Sequence, residues 1–144
     1  MVARFELLSR RREVARVRRV PARTPWDNLV GYSRAVRKGS VIAVSGTTAA
    51  NARGRIIGRN DHYKQTTFIV KKIQAALKEL GGSLDDIVRT RIYTTDISMW
   101  REIARAHRQS LGKPKPACTM VQVSRLIDPD MLVEMEVEAV CDHR

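Results

Sequence analysis

The fold is decided near the end of the chain, by the stretch VEMEVEA at residues 133–139. Its apolar residues alternate strictly with Glu134, Glu136 and Glu138. Successive side chains of a strand point to opposite faces, so this period of two predicts a strand with one apolar face and one polar face. Such a strand needs a sheet to join and a second layer to cover its apolar side.

The segments before this stretch alternate between strand and helix patterns. A strand–helix–strand connection predicts a parallel pair, and the strands at both ends of the chain are expected to form antiparallel hairpins. The fold class is therefore α+β, one mixed β-sheet with two α-helices on one face. The predicted order is β-β-α-β-α-β-β, with strands at 33–38, 41–45, 87–94, 117–123 and 133–139, a further short strand favoured at 55–57, and helices at 61–80 and after a Ser98 cap.

The first helix carries the clearest pattern. Ile69, Ile73, Ala76 and Leu80 fall on one face at helical spacing, and Gly81-Gly82 supplies the left-handed residue that ends the helix. Outside this stripe lie four lysines, which the pattern places in solvent: Lys64, Lys71, Lys72 and Lys78. Any apolar residues on the uncovered face of the sheet would need a second subunit, so we expect an oligomer.

Composition excludes several classes of protein. The chain has 144 residues and a net charge of +12, and 43% of its residues are hydrophobic, which is typical of one globular domain. No apolar run approaches the roughly 18 residues of a membrane span, so no membrane partner is expected. The two cysteines, Cys118 and Cys141, are too few for a disulfide scaffold, and this favours a reducing cytoplasm.

Half of the excess charge lies at the start of the chain. Residues 1–23 contain eight arginines and two glutamates, a net charge of +6. We divide the chain into a basic N-terminal extension at 1–20 and a folded domain at 21–144. The extension could bind phosphates by charge, but a solvated segment is the better interpretation. The chain has seven aromatic residues and no strand with a stacking pair, so nucleic acid is the less favoured partner.

Most catalytic patterns are missing from the sequence. His62, His107 and His143 are scattered, with no metal-ligand spacing, so no metal and no cofactor are expected. His107 is interpreted as a half-buried helix residue rather than a catalyst. Residues and spacing alone therefore reach only a basic, oligomeric α+β domain.

Three blocks resemble the RidA/YjgF reactive-intermediate deaminase family, which is also called endoribonuclease L-PSP-like. GYS at 31–33 with VSGT at 44–47 is similar to the family's first hairpin, and DIVRTRIYTTD at 86–96 to its central strand. PACTMVQVSRL at 116–126, followed by the stretch at 133–139, is similar to its C-terminal signature. The resemblance covers about residues 20–140. It implies a chorismate-mutase-like fold, a homotrimer, and ligand clefts between subunits.

One residue departs from the family pattern. Deaminating members carry an arginine after Pro-Ala in the last signature, and its guanidinium holds the substrate carboxylate by two parallel hydrogen bonds. This chain has Cys118 at that position. A thiol offers one weak donor and no charge. Arg125 lies seven residues further, on the opposite face of an uninterrupted strand, and is no evident replacement.

The resemblance also assigns the other site residues. It gives Glu136 the catalytic role of orienting a water, and Gly46 a contact through its backbone carbonyl. The substrate-binding positions it implies are Tyr32, Ser45, Gly46, Cys118 and Thr119. Three alternatives stay open. Glu136 could simply pair with a nearby cation, and Cys118 could be a nucleophile, although a small half-buried neutral residue is favoured. Tyr32 could pack against the lead-in, the irregular segment with Pro21, Pro25 and Trp26 that precedes the first predicted strand.

These observations lead to one expected function and its alternatives. The first is binding, with or without hydrolysis, of a small metabolite in the intersubunit clefts of a homotrimer, and not standard enamine or imine deamination. If the chain is an enzyme, it is a hydrolase acting on a C–N bond. The alternatives are an RNA-binding or endoribonuclease-like protein, a weakly retained imine deaminase, and a structural or chaperone-like protein.

Overall fold

A computed structural model describes residues 15–142 of the chain, so residues 1–14 of the proposed extension and His143 lie outside the described residues. The described part contains six strands and two long helices. Their bounds are β1 Val17–Pro21, β2 Ser33–Lys38, β3 Val41–Thr48, α1 His62–Glu79, β4 Ile87–Thr94, α2 Trp100–Leu111, β5 Ala117–Gln122 and β6 Val133–Val140. The predicted α+β order is confirmed, with β1 as an addition.

The strands form one mixed sheet in the order β1-β2-β3-β6-β4-β5. The predicted antiparallel pairing of β2 with β3 is confirmed, and so is the parallel pair that α2 connects, β4 with β5. The expected hairpin between the last two strands is wrong. β6 pairs antiparallel with β3 on one side and with β4 on the other.

The alternation of β6 gives this strand one buried face. Its apolar residues are buried at every second position, with Met135 fully buried. A strand with a buried apolar face needs a second layer above it. α1 supplies that layer, and Ile69, Ile73 and Leu77 belong to the same core as Met135.

The opposite face of the sheet is polar at its centre. The glutamates of β6 lie beside Arg89, Arg91 and Tyr93 of β4, as the strand register requires. Apolar residues flank this centre: Val41 is 50% exposed and Val121 is 41% exposed.

Three local details differ from expectation. β1 was not predicted, because its sequence VRRVP has no regular alternation, yet it pairs with β2 along its full length. The side chain of Asp96, not Ser98, accepts the capping hydrogen bond at the turn that leads into α2. The short strand expected at 55–57 is reduced to a single bridge between Ala50 and Ile56.

α1 ends before the Gly81-Gly82 pair, as the sequence predicts. Gly81 has φ of +78°, and the N–H of Gly82 donates to the Leu77 carbonyl oxygen at 2.8 Å. This left-handed turn satisfies a carbonyl that the helix itself leaves unpaired.

Candidate functional site

A cavity of about 540 Å³ lies between the lead-in to β2 and the C-terminal half of α1. Four parts of the chain line it: the lead-in with Tyr32, the end of β3 and the loop after it, one face of α1, and the segment that enters β6. Three of the predicted site residues therefore meet in one place. They are Tyr32, Ser45 and Gly46.

Short hydrogen bonds hold the first two of these residues. The Tyr32 hydroxyl lies 3.1 Å from the Thr24 hydroxyl, which itself bonds to Asp27 in a tight turn. The Ser45 hydroxyl donates to the Ser33 carbonyl oxygen at 2.6 Å. Arg34 Nη2 of β2 also donates to the Tyr32 hydroxyl at 3.4 Å, so side-chain contacts tie this wall of the cavity to β2.

A bulge in β3 shapes the floor of the cavity. Val44 and Thr47 pair with Val137 and Met135, so β3 uses three steps where β6 uses two. The extra residue places Ser45 and Gly46 together opposite Glu136. A bulge of this kind changes the direction in which the strand presents its side chains and its carbonyl groups.

Gly46 is in close contact with Glu134. The Glu134 carboxylate lies directly against Gly46, where a Cβ would overlap its oxygen. The Gly46 carbonyl oxygen accepts a hydrogen bond from Arg34 Nη1 at 3.0 Å. The carbonyl contact that the resemblance implied for a ligand is thus already used in part by the protein.

A charged group of three residues lines this cavity, and the sequence did not reveal it. Arg34 is 9% exposed and donates to Gly46 and to the Thr47 hydroxyl, each at 3.0 Å. Lys72 Nζ donates to the carbonyl oxygens of Thr48 and Ala50, each at 2.7 Å. Glu134 completes the group.

Burial shifts the pKa of two of these groups. Burial, with a smaller contribution from the Arg34 charge, lowers the pKa of Lys72 to about 8. Burial raises the pKa of Glu134, the charge of Glu136 adds to that rise, and Arg34 opposes it. Desolvation disfavours the charged form of a lysine and of a carboxyl alike, which explains the two directions.

The prediction that Lys72 faces solvent is wrong. Lys72 follows Ile69 by three residues and precedes Ala76 by four, so helical spacing places it beside the buried stripe. That spacing was the available signal. For Arg34 and Glu134 the sequence offered none, because their burial depends on the lead-in and on the bulge.

Glu136 lies on the polar face of the sheet and takes part in an ion pair. Its Oε1 accepts from Arg91 Nη1 at 3.2 Å and from the Tyr93 hydroxyl at 3.2 Å. Arg91 also bonds to Glu138 Oε1 at 3.0 Å. Pairing with a cation, one of the two alternatives for Glu136, is therefore present, and it also fixes the orientation of the carboxylate.

Cys118 and Thr119 lie elsewhere in the chain, on the edge strand β5. Both are exposed, so the expectation of a half-buried Cys118 is wrong for the single chain. The order β3-β6-β4-β5 puts three strand spacings between them and Gly46, roughly 14 Å at about 4.8 Å per spacing. One chain alone cannot bring these residues to the cavity of Tyr32. β5 also ends before Arg125, so the alternation argument does not extend to that residue.

The remaining candidates have structural roles. His107 is half-buried and lies 3.0 Å from the Thr90 hydroxyl, and burial lowers its pKa.

Within residues 15–142, His, Cys, Asp and Glu side chains form no group of three that could hold a metal ion. No helix in the same range is long and apolar enough to span a bilayer.

Comparison with known proteins supports the family resemblance of the sequence. A family model described as endoribonuclease L-PSP matches residues 23–141. A RutC family protein of Pyrococcus abyssi is 34% identical over 108 residues, which cover 75% of this chain and 84% of that protein.

Two solved structures share the fold. A member of the YjgF/YER057c/UK114 family from Mycobacterium tuberculosis is 42% identical, with a TM-score of 0.79 over 87% of this chain and 99% of the other. A protein of unknown function of the Rid family from Yersinia pestis is 28% identical, with a TM-score of 0.77 over 87% of this chain and 99% of the other. The chain therefore belongs to the endoribonuclease L-PSP family, the RidA/YjgF group of proteins.

Proposed function

We propose that this chain forms a homotrimer whose intersubunit clefts bind a small metabolite. Each cleft combines the Tyr32, Ser45 and Gly46 wall of one copy with Cys118 and Thr119 of the next. One observation carries the proposal: the two halves of the expected site are both accessible, but three strand spacings separate them within one chain. Both halves reach one ligand when a second copy supplies β5.

The surface of the sheet supports the same assembly. Val41 and Val121 are exposed on the face that no helix covers, at opposite ends of the polar centre. Apolar residues around a network of paired charges suit a subunit interface, because burial excludes water while the charges find partners.

The charges in the cleft favour binding over standard deamination. Cys118 carries no guanidinium to hold a carboxylate, and losing a charged hydrogen-bond partner costs about 1.5 to 3 kcal/mol, roughly tenfold to a hundredfold in affinity. Glu136 is oriented by Arg91 and Tyr93. If a C–N bond is hydrolysed in the cleft, Glu136 is the group that positions the water.

The cysteines support placing this trimer in the cytoplasm. Cys118 and Cys141 are both free thiols, the first exposed and the second buried. An exposed free thiol suits a reducing compartment.

The test restores the missing guanidinium. C118R should create hydrolysis of 2-iminopropionate at least tenfold above the wild type, because the new charge reaches a ligand held by Gly46 of the neighbouring copy. C118M is the matched control, since it puts a long side chain without a charge at the same place, and it should leave the rate unchanged.

Two outcomes would contradict the proposal. A monomer in sedimentation velocity would remove the shared cleft altogether. A trimer in which C118R hydrolyses the imine no faster than C118M would show that β5 does not face the ligand.

A further inference from the structure

Lys72 has an environment that a structural lysine does not require. Its Nζ lies inside the cavity and donates to the Thr48 and Ala50 carbonyl oxygens, each at 2.7 Å. The Arg34 guanidinium lines the same cavity, and Phe68 lies on the other side with its ring centre 6.0 Å from Nζ. A partly desolvated amine beside a second cation is an arrangement in which lysine can act as a nucleophile.

The proton equilibrium follows from this burial. With a pKa of about 8, about one tenth of the Lys72 side chains are neutral at pH 7. A solvent-exposed lysine with the ordinary value of 10.5 has roughly one neutral amine in 3000. Lys72 therefore presents about 300 times more free amine than an exposed lysine.

The hydrogen bonds leave the neutral amine ready to react. A neutral amine has two N–H donors and one lone pair, and two carbonyl oxygens already accept from Nζ. Both hydrogens stay satisfied when the third proton is lost. Because the nitrogen is tetrahedral, donation to both carbonyls leaves the lone pair directed away from them.

We propose that Lys72 captures small carbonyl compounds in this cavity as a Schiff base. The inference rests on the proposed function, because it uses the same cavity. Nζ attacks the carbonyl carbon, a C–N bond forms as the C=O π bond opens, and one of the two amine protons passes to the oxygen to give a carbinolamine. The hydroxyl then leaves as water with one added proton, the nitrogen loses its remaining proton, and a C=N bond results. No oxidant or reductant is consumed.

Glu134 is suited to assist the loss of water. Its carboxyl lines the same cavity, and burial raises its pKa, so it keeps a proton to higher pH than an exposed glutamate. Protonation of the leaving hydroxyl is the step that a general acid accelerates. The apolar side chains of Trp26 and Met131 line the cavity as well.

The test uses the wild-type protein and glyoxylate as the carbonyl probe. Protein is incubated with glyoxylate at pH 7.5, reduced with sodium cyanoborohydride, digested, and analysed by mass spectrometry for carboxymethyl-lysine. Lys71, which precedes Lys72 on α1 and is exposed, is the internal control. We expect at least tenfold higher adduct occupancy at Lys72, rising to half of its maximum near pH 8.

Equal or lower occupancy at Lys72 than at Lys71 would overturn the inference, and so would labelling of Lys72 that rises only near pH 10. Because the comparison is made within one wild-type sample, it does not depend on whether a Lys72 variant folds. The proposed function fails by different results, a monomer or an inactive C118R, so the two failures are distinguishable.

Discussion

Replacing Lys72 with methionine should remove a pH dependence from the stability of the protein. The side chain is buried as an ammonium below its pKa of about 8 and as an amine above it, whereas the unfolded chain keeps the proton up to 10.5. Between these values unfolding takes up a proton, so raising the pH stabilises the folded state of the wild type. The K72M variant lacks this group and should not share the gain.

The magnitude follows from the shift. Integrating the proton uptake from pH 7 to pH 9.5 gives about 2 kcal/mol for a pKa of about 8 against the ordinary 10.5. The Lys72 side chain is half-buried rather than enclosed, so solvent screening reduces the expected gain to about 1 kcal/mol. The two bonds to Thr48 and Ala50 persist in the neutral form and do not alter the direction.

The assay is urea unfolding at four pH values between 7 and 9.5, at fixed ionic strength and one protein concentration, because assembly makes stability concentration-dependent. The measured quantity is the free energy of unfolding of the wild type minus that of K72M. K71M is the matched control on the same helix. If the difference between wild type and K72M does not change with pH, the burial of Nζ is refuted. It is also refuted if the difference between wild type and K71M changes with pH by the same amount.

Three further predictions concern the site and the core. G46V should force the flexible end of Glu134 to turn aside and lower the unfolding free energy in urea by at most about 1 kcal/mol; a loss above about 3 kcal/mol would mean that Glu134 cannot move. Met135→Ala should cost about 2 to 5 kcal/mol in urea unfolding, since Met135 is fully buried, and a loss below 1 kcal/mol would contradict its central place in the core. Arg91→Met should leave the unfolding free energy nearly unchanged, because its bonds to Glu136 and Glu138 are partly solvated, yet it should weaken trimer assembly in sedimentation velocity; unchanged assembly would argue against an interface there.

The local structure could be predicted well because it depends on short-range patterns. The alternation at 133–139 and the stripe of α1 each follow from a period that a single segment carries. Pairing partners do not follow from a period. The residues of β6 do not predict that it lies between β3 and β4, because that position depends on how much of its apolar face α1 can cover.

The site was predicted in part for a similar reason. Tyr32, Ser45 and Gly46 were named from their resemblance to a family motif, and they line one cavity. Arg34 and Glu134 were missed, because a charged residue is predicted to be exposed to solvent unless its neighbours in space are known. Both are held by the Gly46 bulge, which is a feature of two strands together.

The sequence by itself determined the element order, the α+β class, the family and the missing guanidinium at Cys118, since each depends on residue type and spacing along the chain. Only the tertiary structure decided that β6 is a central strand, that Lys72 is buried beside Arg34, and that Cys118 lies three strands from Gly46. The physical reason is that burial and distance are properties of packed neighbours. A lysine in solvent and a lysine in a cavity have the same place in a sequence and a different proton equilibrium.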